Sequence, residues 1–364
     1  MPIQPVRTVR KIEAIQGLRA AAAFSVASLH VLHDAIGLDP GGFAARLHDA
    51  LPWQAGVDLF FVISGFVMVY SSADLFGQRS GRTVFMTRRV VRIVPLYWAA
   101  TSLFFLVALM APSAISHDDL TPARVAMSYA FIPASSSSGL IQPIYSLGWT
   151  LNYEMFFYVV FAAFIGQTRT RALLLIGVTL GCLIAVHPLV PRAATALVFW
   201  TDPIMAEFLL GVLIGVVAET ALSLPDWLRA AGSILAVGAL VAGHLAGVAL
   251  SEPVGVGVPM AVLVAMAVFG RPIPISALLI MTGEASYALY LVHPFAMRGV
   301  SIVWRTLHLA GPAAAACYIV ISLVLALLSA LATHLWFERP VSAWLRTRTA
   351  RFWLVRSSPP RAAA

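Results

Sequence analysis

Arg19 and His30 lie in a single apolar run, Ile15 to Ala35, IQGLRAAAAFSVASLHVLHDA. Eleven positions is about three turns of helix, so both side chains leave one face, roughly 16 Å apart along the axis. An ionisable group inside a membrane helix costs on the order of 2.5 to 3.5 kcal/mol on insertion and therefore faces a cavity or a partner. An imidazole so placed can take a proton from a hydroxyl, or take an acyl group itself. The next apolar segment opens GVDLFFVISGF, with Asp58 about as deep below its outer end as His30 is below the same end of the first. Equal depth predicts a His30–Asp58 pair in which the carboxylate orients the imidazole and raises its basicity. The alternative for Asp58 is a helix cap at the membrane interface.

Two further groups belong to the same chemistry. In RRVVRIVPLYW, Arg89 and Arg92 are neighbours on one helical face. Paired guanidinium forks suit phosphate, which they bind through two parallel hydrogen bonds; the plainer use of such a pair is contact with lipid headgroups. Arg19 at the same membrane face favours the phosphate reading. In SLGWTLNYEMFFYVVF, Glu154 sits near mid-segment and needs a cation, a proton or water; Arg19, Arg89 and Arg92 are its candidate partners, and so is a substrate hydroxyl. The structural alternative is a protonated Glu154 bonded to a neighbouring helix. His293, before Pro294, and His33 read as solvated histidines at segment ends, with His293 a candidate for the outer mouth of the His30 cavity. FERP, Phe337 to Pro340, reads as a helix stop.

The elements that must position these residues are membrane helices. Of 364 residues 60% are apolar and only 11% charged, where a soluble domain carries about 25% charge. Ten segments approach the roughly 20 apolar residues of a bilayer span: Ile15–Ala35, Gln54–Tyr70, Ile93–Ala111, Ile144–Ile165, Ala172–Val190, Ala196–Ala218, Ala230–Leu250, Val254–Phe269, Ile275–Met297 and Ala313–Phe337. The second and eighth are short, and the sixth contains Asp202, Pro203 and Glu207. The expected fold is an all-α polytopic membrane protein of about ten transmembrane helices. With the N-terminus inside, 19 of the 24 basic residues fall on cytoplasmic pieces and five, Arg46, Arg124, Arg192, Arg298 and Arg305, on the other face. That bias follows the positive-inside rule and predicts both termini in the cytoplasm. It also assigns the net charge of +8 to membrane orientation, so no nucleic acid is expected as a partner.

The first segment, though preceded by Arg7, Arg10 and Lys11, is too long for a signal-peptide core and reads as an uncleaved span. Cys182 and Cys317 lie in apolar runs and offer neither a disulfide framework nor a thiolate metal site, and no metal is expected. The loop from Pro112 to Pro143, with Asp118, Asp119 and Ser135 to Ser138, reads as a solvated connection of a length that can cover a site. Two regions result, a transmembrane domain over residues 12–340 and a basic tail over 341–364, interfacial or disordered.

IQGLRA with His30 following Arg19 after ten residues, GVDLFFVISGF, RRVVRIVPLYW, SLGWTLNYEMFFY, GEASYALYLVHP and FERP, in that order, together resemble the membrane acyltransferase-3 family, in particular its exopolysaccharide O-acetyltransferase branch of succinoglycan-modifying enzymes. The resemblance runs from about Ile12 to Pro340. It implies transfer of an acyl group, commonly acetyl, from cytoplasmic acyl-CoA to a hydroxyl of an exopolysaccharide or other saccharide acceptor, in the inner membrane of a bacterium. Polysaccharide-assembly machinery is then a candidate partner. The family's arginine–histidine motif maps onto Arg19 and His30, its paired arginines onto Arg89 and Arg92, and its fourth-span carboxylate onto Glu154. Many relatives carry two adjacent acids there, whereas this chain has Glu154 followed by Met155, which puts in doubt any role that needs two carboxylates.

The residues and the resemblance meet in one expected mechanism. Arg19, Arg89 and Arg92 hold the phosphates of acetyl-CoA or another acyl-CoA, and His30, tuned by Asp58 or Glu154, serves as base or transient acyl carrier. Two rivals remain at this level: a transporter of a glycolipid or small metabolite through the same polar channel, and an acyltransferase acting on a small diffusible molecule.

Overall fold

The computed structural model describes residues 6–110, 120–220, 222–247, 253–271 and 274–357. Asp118 and Asp119 of the long loop, and the end of the tail with Arg361, lie outside the described residues. The described chain is helical, with no strand. Its helices are α1 (Val6–Ile36), α2 (Phe43–Ala50), α3 (Ala55–Ser71), α4 (Gly81–Met110), α5 (Pro122–Tyr129), α6 (Trp149–Phe164), α7 (Arg169–Val186) and α8 (Thr195–Trp200). They continue with α9 (Met205–Val217), α10 (Asp226–Leu245), α11 (Val258–Val268), α12 (Ala277–Glu284), α13 (Ser286–Thr306), α14 (Pro312–Thr333) and α15 (Arg339–Ser357).

Each of the ten expected segments contains helix. Among the described residues seven stretches are long and apolar enough to cross a membrane: Glu13–Ile36, Phe43–Ser71, Gly81–Met110, Arg169–Leu189, Thr195–Val217, Asp226–Leu245 and Pro312–Thr349. The other three segments fall short for local reasons. α6 has 16 residues, α11 is lengthened only by a π-helical turn at Pro253–Gly257, and in the ninth, divided at Ala285, α13 has 21 residues but carries His293, Arg298 and Arg305 and is not apolar enough. Large apolar side chains such as Leu103, Leu106, Leu174, Ile234, Leu235, Val320 and Leu328 point outward. In hydrocarbon this is the favourable arrangement, because every backbone group is satisfied within its helix and the side chains meet lipid.

α1 is the hub, packing on α2, α3, α11, α12, α13 and α14. Arg19 bonds to Gly283 and Ser286 while His30 meets His293, so α1 runs parallel to the α12–α13 unit. α3 and α9 are parallel too, with their backbones in close approach. A Cβ on Gly65 would stand 2.1 Å from the Phe208 carbonyl oxygen and one on Gly211 2.0 Å from that of Val62.

Three expectations change. FERP does not stop the last helix: His334–Glu338 forms a π-helical turn and α15 continues beyond it, since Pro340 stands in the first turn of α15, where its missing N–H is tolerated. Residues 341–357 are therefore helical, and Ser342 anchors α15 to α4 by donating to the Val91 carbonyl at 3.3 Å. The long connection is ordered over 120–145. Thr121 caps α5, Tyr97 donates to the Ser128 carbonyl at 3.0 Å, and Phe131 and Tyr145 are buried. His293 is fully buried rather than solvated.

Candidate active site

Arg19, Arg89, Arg92 and Glu154 converge on one chamber of about 100 Å³, walled also by Phe60, Ser64, Val67, Tyr158, Tyr287 and Tyr290. Each is held by its helix and one or two bonds. Arg19 of α1 donates from Nε to the Gly283 carbonyl at 3.2 Å and from Nη2 to Ser286 Oγ at 2.8 Å. These bonds pin it to the α12–α13 junction. Arg89 of α4 donates from Nη2 to Ser71 Oγ at 2.7 Å and lies over the rings of Phe85 and Tyr158. Its Nε is buried without a hydrogen-bond partner among the described residues. A buried donor left unmatched by protein is matched by a ligand acceptor or costs its full desolvation. Glu154 of α6 accepts from Ser64 Oγ at 2.9 Å and from the Tyr158 hydroxyl one turn along the same helix. It forms no direct ion pair with the arginines, so all three guanidinium groups keep donors for a guest.

His30 stands beyond this chamber. Tyr290 lines the chamber, its ring lies 6.5 Å from that of His293, and the His293 ring lies 5.1 Å from that of His30. Phe60 packs edge-on to Tyr290 at 6.4 Å, and together they form the partition between the chamber and the histidines. Thr150 donates to the Tyr290 hydroxyl at 2.9 Å and that hydroxyl donates to the Leu147 carbonyl at 2.9 Å, which fixes the partition in place.

The hydrogen bonds of the histidine pair settle its tautomers. His30 Nδ1 lies 2.9 Å from the Val26 carbonyl and His293 Nδ1 2.9 Å from the Leu289 carbonyl. A carbonyl only accepts, so both Nδ1 atoms carry the proton. His293 Nε2 is then a bare acceptor, 3.4 Å from His30 Nδ1, and His30 Nε2 is left with its lone pair. That is the form a general base or nucleophile needs.

The expected pairing of His30 with Asp58 is not formed. Asp58 is buried at 3% exposure, which removes the interfacial-cap alternative, and its side-chain partner is Glu207 of α9, a pairing that needs one shared proton. Neither depth nor direction matches: Ser25 donates to the Trp53 carbonyl at 2.6 Å and a Cβ on Gly56 would meet Ala22, so α3 descends α1 away from His30, and Asp58 shares the α3 face of Val62 and Gly65, turned towards α9 by the close backbone approach.

Arg89 and Arg92 also line a second, open cavity of about 580 Å³ between α4, the π-helical turn and α15, with Arg88, Glu284, His334, Glu338, Arg339 and Arg346 on its walls. Sequence reasoning missed Ser64 and Ser286 as partners of the site and the α15 arginines as lining, while His293, a candidate for the mouth of the His30 cavity, packs against His30 itself. Tyr158, read from the sequence as a packing residue, carried the one usable signal, since it lies four residues after Glu154 on one helix. Among the described residues no group of three or more His, Cys, Asp or Glu is placed to hold a metal ion.

Residues 12–331 match the acyltransferase domain of the acyltransferase-3 family. This chain is a member of the acyltransferase-3 family. It is 34% identical over 305 residues, 79% of this chain and 89% of the relative, to the exopolysaccharide production protein ExoZ of Rhizobium meliloti. It is also 25% identical over 316 residues, 76% of each chain, to the acyltransferase MdmB of Streptomyces mycarofaciens. No solved structure matches. An acyltransferase-3 protein with these relatives is a membrane acyltransferase, which displaces the transporter reading.

Proposed function

We propose that this acyltransferase moves an acetyl group from acyl-CoA to a hydroxyl of an exopolysaccharide or lipid-linked saccharide, in the inner membrane of a bacterium. The observation that carries the reading is the convergence of Arg19, Arg89, Arg92 and Glu154 on one chamber that adjoins a basic cavity through Arg89 and Arg92. A thioester donor with a polyanionic tail fits this arrangement, its phosphates on the guanidinium groups and its arm directed inward. ExoZ, a protein of exopolysaccharide production by its name, supports the saccharide acceptor.

The chemistry follows from the tautomers. The acceptor hydroxyl gives its proton to His30 Nε2 as its oxygen bonds to the thioester carbonyl carbon. The carbon–sulfur bond then breaks, and the leaving thiolate takes the proton from the imidazolium. The thioester passes the Tyr290–Phe60 partition to reach that nitrogen. Glu154, held by Ser64 and Tyr158, balances the guanidinium groups so that the donor binds without being trapped. The domain of residues 12–340 carries this chemistry, spanning the bilayer ten times with both ends cytoplasmic. The parallel directions of α1 with α13 and of α3 with α9 support that count, since first and ninth spans, like second and sixth, must run the same way.

The test uses inverted membrane vesicles, radiolabelled acetyl-CoA and the polysaccharide of the host. Label is expected on saccharide with the wild-type chain and at least about 100-fold less of it with His30→Ala inserted at equal level. Transfer at the normal rate by His30→Ala overturns the base, and label on no saccharide overturns the acceptor class.

A further inference from the structure

The tail of the chain has no role in the reading above, yet α15 forms one wall of the open basic cavity. Arg339, Ser342 and Arg346 stand at i, i+3 and i+7 and all line it, so they make a single stripe along the helix. Arg339 and Arg346 are exposed, as is Arg92 across the cavity. No side chain of the three makes a hydrogen bond or ion pair to another described residue. Of the two acids on the cavity walls, Glu338 is engaged by His334 at 2.8 Å, and Glu284 forms no ion pair with any of the three, so the arginines outnumber the acids. Like charges gathered without partners in a solvated cavity favour a polyanionic guest. The position is also right for a soluble one. Pro312–Thr349 is 38 residues long, about 57 Å of helix against roughly 30 Å of hydrocarbon, so its basic end reaches into headgroups or water.

We propose that α15 is the seat of the nucleotide end of the donor. Arg339 and Arg346 bind the phosphate on its ribose, Arg89 and Arg92 at the shared boundary bind the diphosphate, and the pantetheine arm runs on into the chamber. The donor is then a free CoA thioester, not an acyl group on the phosphopantetheine of a carrier protein, which has no ribose phosphate to offer. This rests on the acyl-CoA reading above and sharpens it.

The test needs no acceptor. The full-length protein in nanodiscs of phosphatidylcholine is loaded with tritiated acetyl-CoA, which is displaced by CoA, by dephospho-CoA and by phosphopantetheine. For the wild type, CoA is expected to displace at a concentration about tenfold or more below dephospho-CoA, the effect of one charge-assisted contact. Arg339→Gln with Arg346→Gln should weaken CoA to the level of dephospho-CoA and leave dephospho-CoA within about twofold of its own value; Arg339→Lys with Arg346→Lys should keep most of the preference. Equal weakening of all ligands by the Gln pair, or weakening of none, overturns the inference. So does loss of the preference in nanodiscs containing phosphatidylglycerol, which would make lipid phosphate the ligand of α15. If acetyl-CoA does not bind the wild type at all, the donor reading falls with it. If it binds without discrimination between CoA and dephospho-CoA, only the seat on α15 falls.

Discussion

At the scale of single residues the proposed mechanism turns on which atom of His30 is free. Its Nδ1 proton is shared between the Val26 carbonyl at 2.9 Å and His293 Nε2 at 3.4 Å, so His293 is expected to act as a positioning residue. His293→Leu removes that acceptor. We expect kcat to fall about 100-fold, the lower end of what an acid–base group contributes, with KM for acetyl-CoA unchanged. His293→Gln puts an amide oxygen where Nε2 accepts and should restore most of kcat. The pH–rate profile of the Leu variant should also shift on its basic-group limb, which a purely structural loss does not move. Wild-type kcat in His293→Leu would refute the assignment. Arg19, Arg89, Arg92 and Glu154 were readable from sequence because ionisable residues in apolar helices need partners. The His30–Asp58 pair was misread because counting residues from the ends of two apolar runs does not fix how the helices are staggered: Trp53, just before α3, already stands level with Ser25 of α1, so Asp58 lies well away from His30 along the bundle. The buried Glu207, not His30, stands where Asp58 points.

At the scale of elements, the device that fixes direction is the contact of α3 with α9. Helices in lipid gain nothing from burying one more apolar side chain, so small residues that let backbones meet supply the specificity. Gly65 and Gly211 are those residues: an added Cβ meets a carbonyl oxygen of the other helix at 2.1 and 2.0 Å, and backbone cannot yield as a side-chain tip can. Gly211→Ala is therefore expected to force the pair apart, costing about 1 to 3 kcal/mol as overpacking does, and to move Ser64 away from Glu154. Thermal unfolding in detergent should begin several degrees lower and transfer should slow, while a Cβ at the open Gly238 should leave both unchanged. An unaltered melting temperature for Gly211→Ala would show that the contact is loose. None of this was visible from the chain alone, where glycines in apolar helices are common. The π-helical turn at His334–Glu338 was equally hidden, since FERP carries the usual marks of a helix end.

At the scale of the whole molecule the argument rests on sidedness. Apolarity and charge placement made the helical membrane fold legible, because both follow from the bilayer acting as solvent and need no tertiary contacts. They do not by themselves fix how many times the chain crosses, as the short α6, the π-extended α11 and the broken α12–α13 unit show. The proposed mechanism demands that the loop before α4 and the loop after α6 share the donor's compartment and that the connections after α5 and after α13 face the other. Single cysteines in a background lacking Cys182 and Cys317 test this directly. Gln78→Cys and Gln167→Cys should react with a membrane-impermeant maleimide only after spheroplasts are permeabilised, and Ser138→Cys and Leu309→Cys should react before. All four positions lie outside the long apolar helices, so the substitutions leave the bundle intact. If Gln78 and Leu309 label from the same side, the first ten-span parity is broken between α4 and α14. The basic cavity and the histidine pair then no longer serve opposite compartments, and donor and acceptor would have to meet from one face.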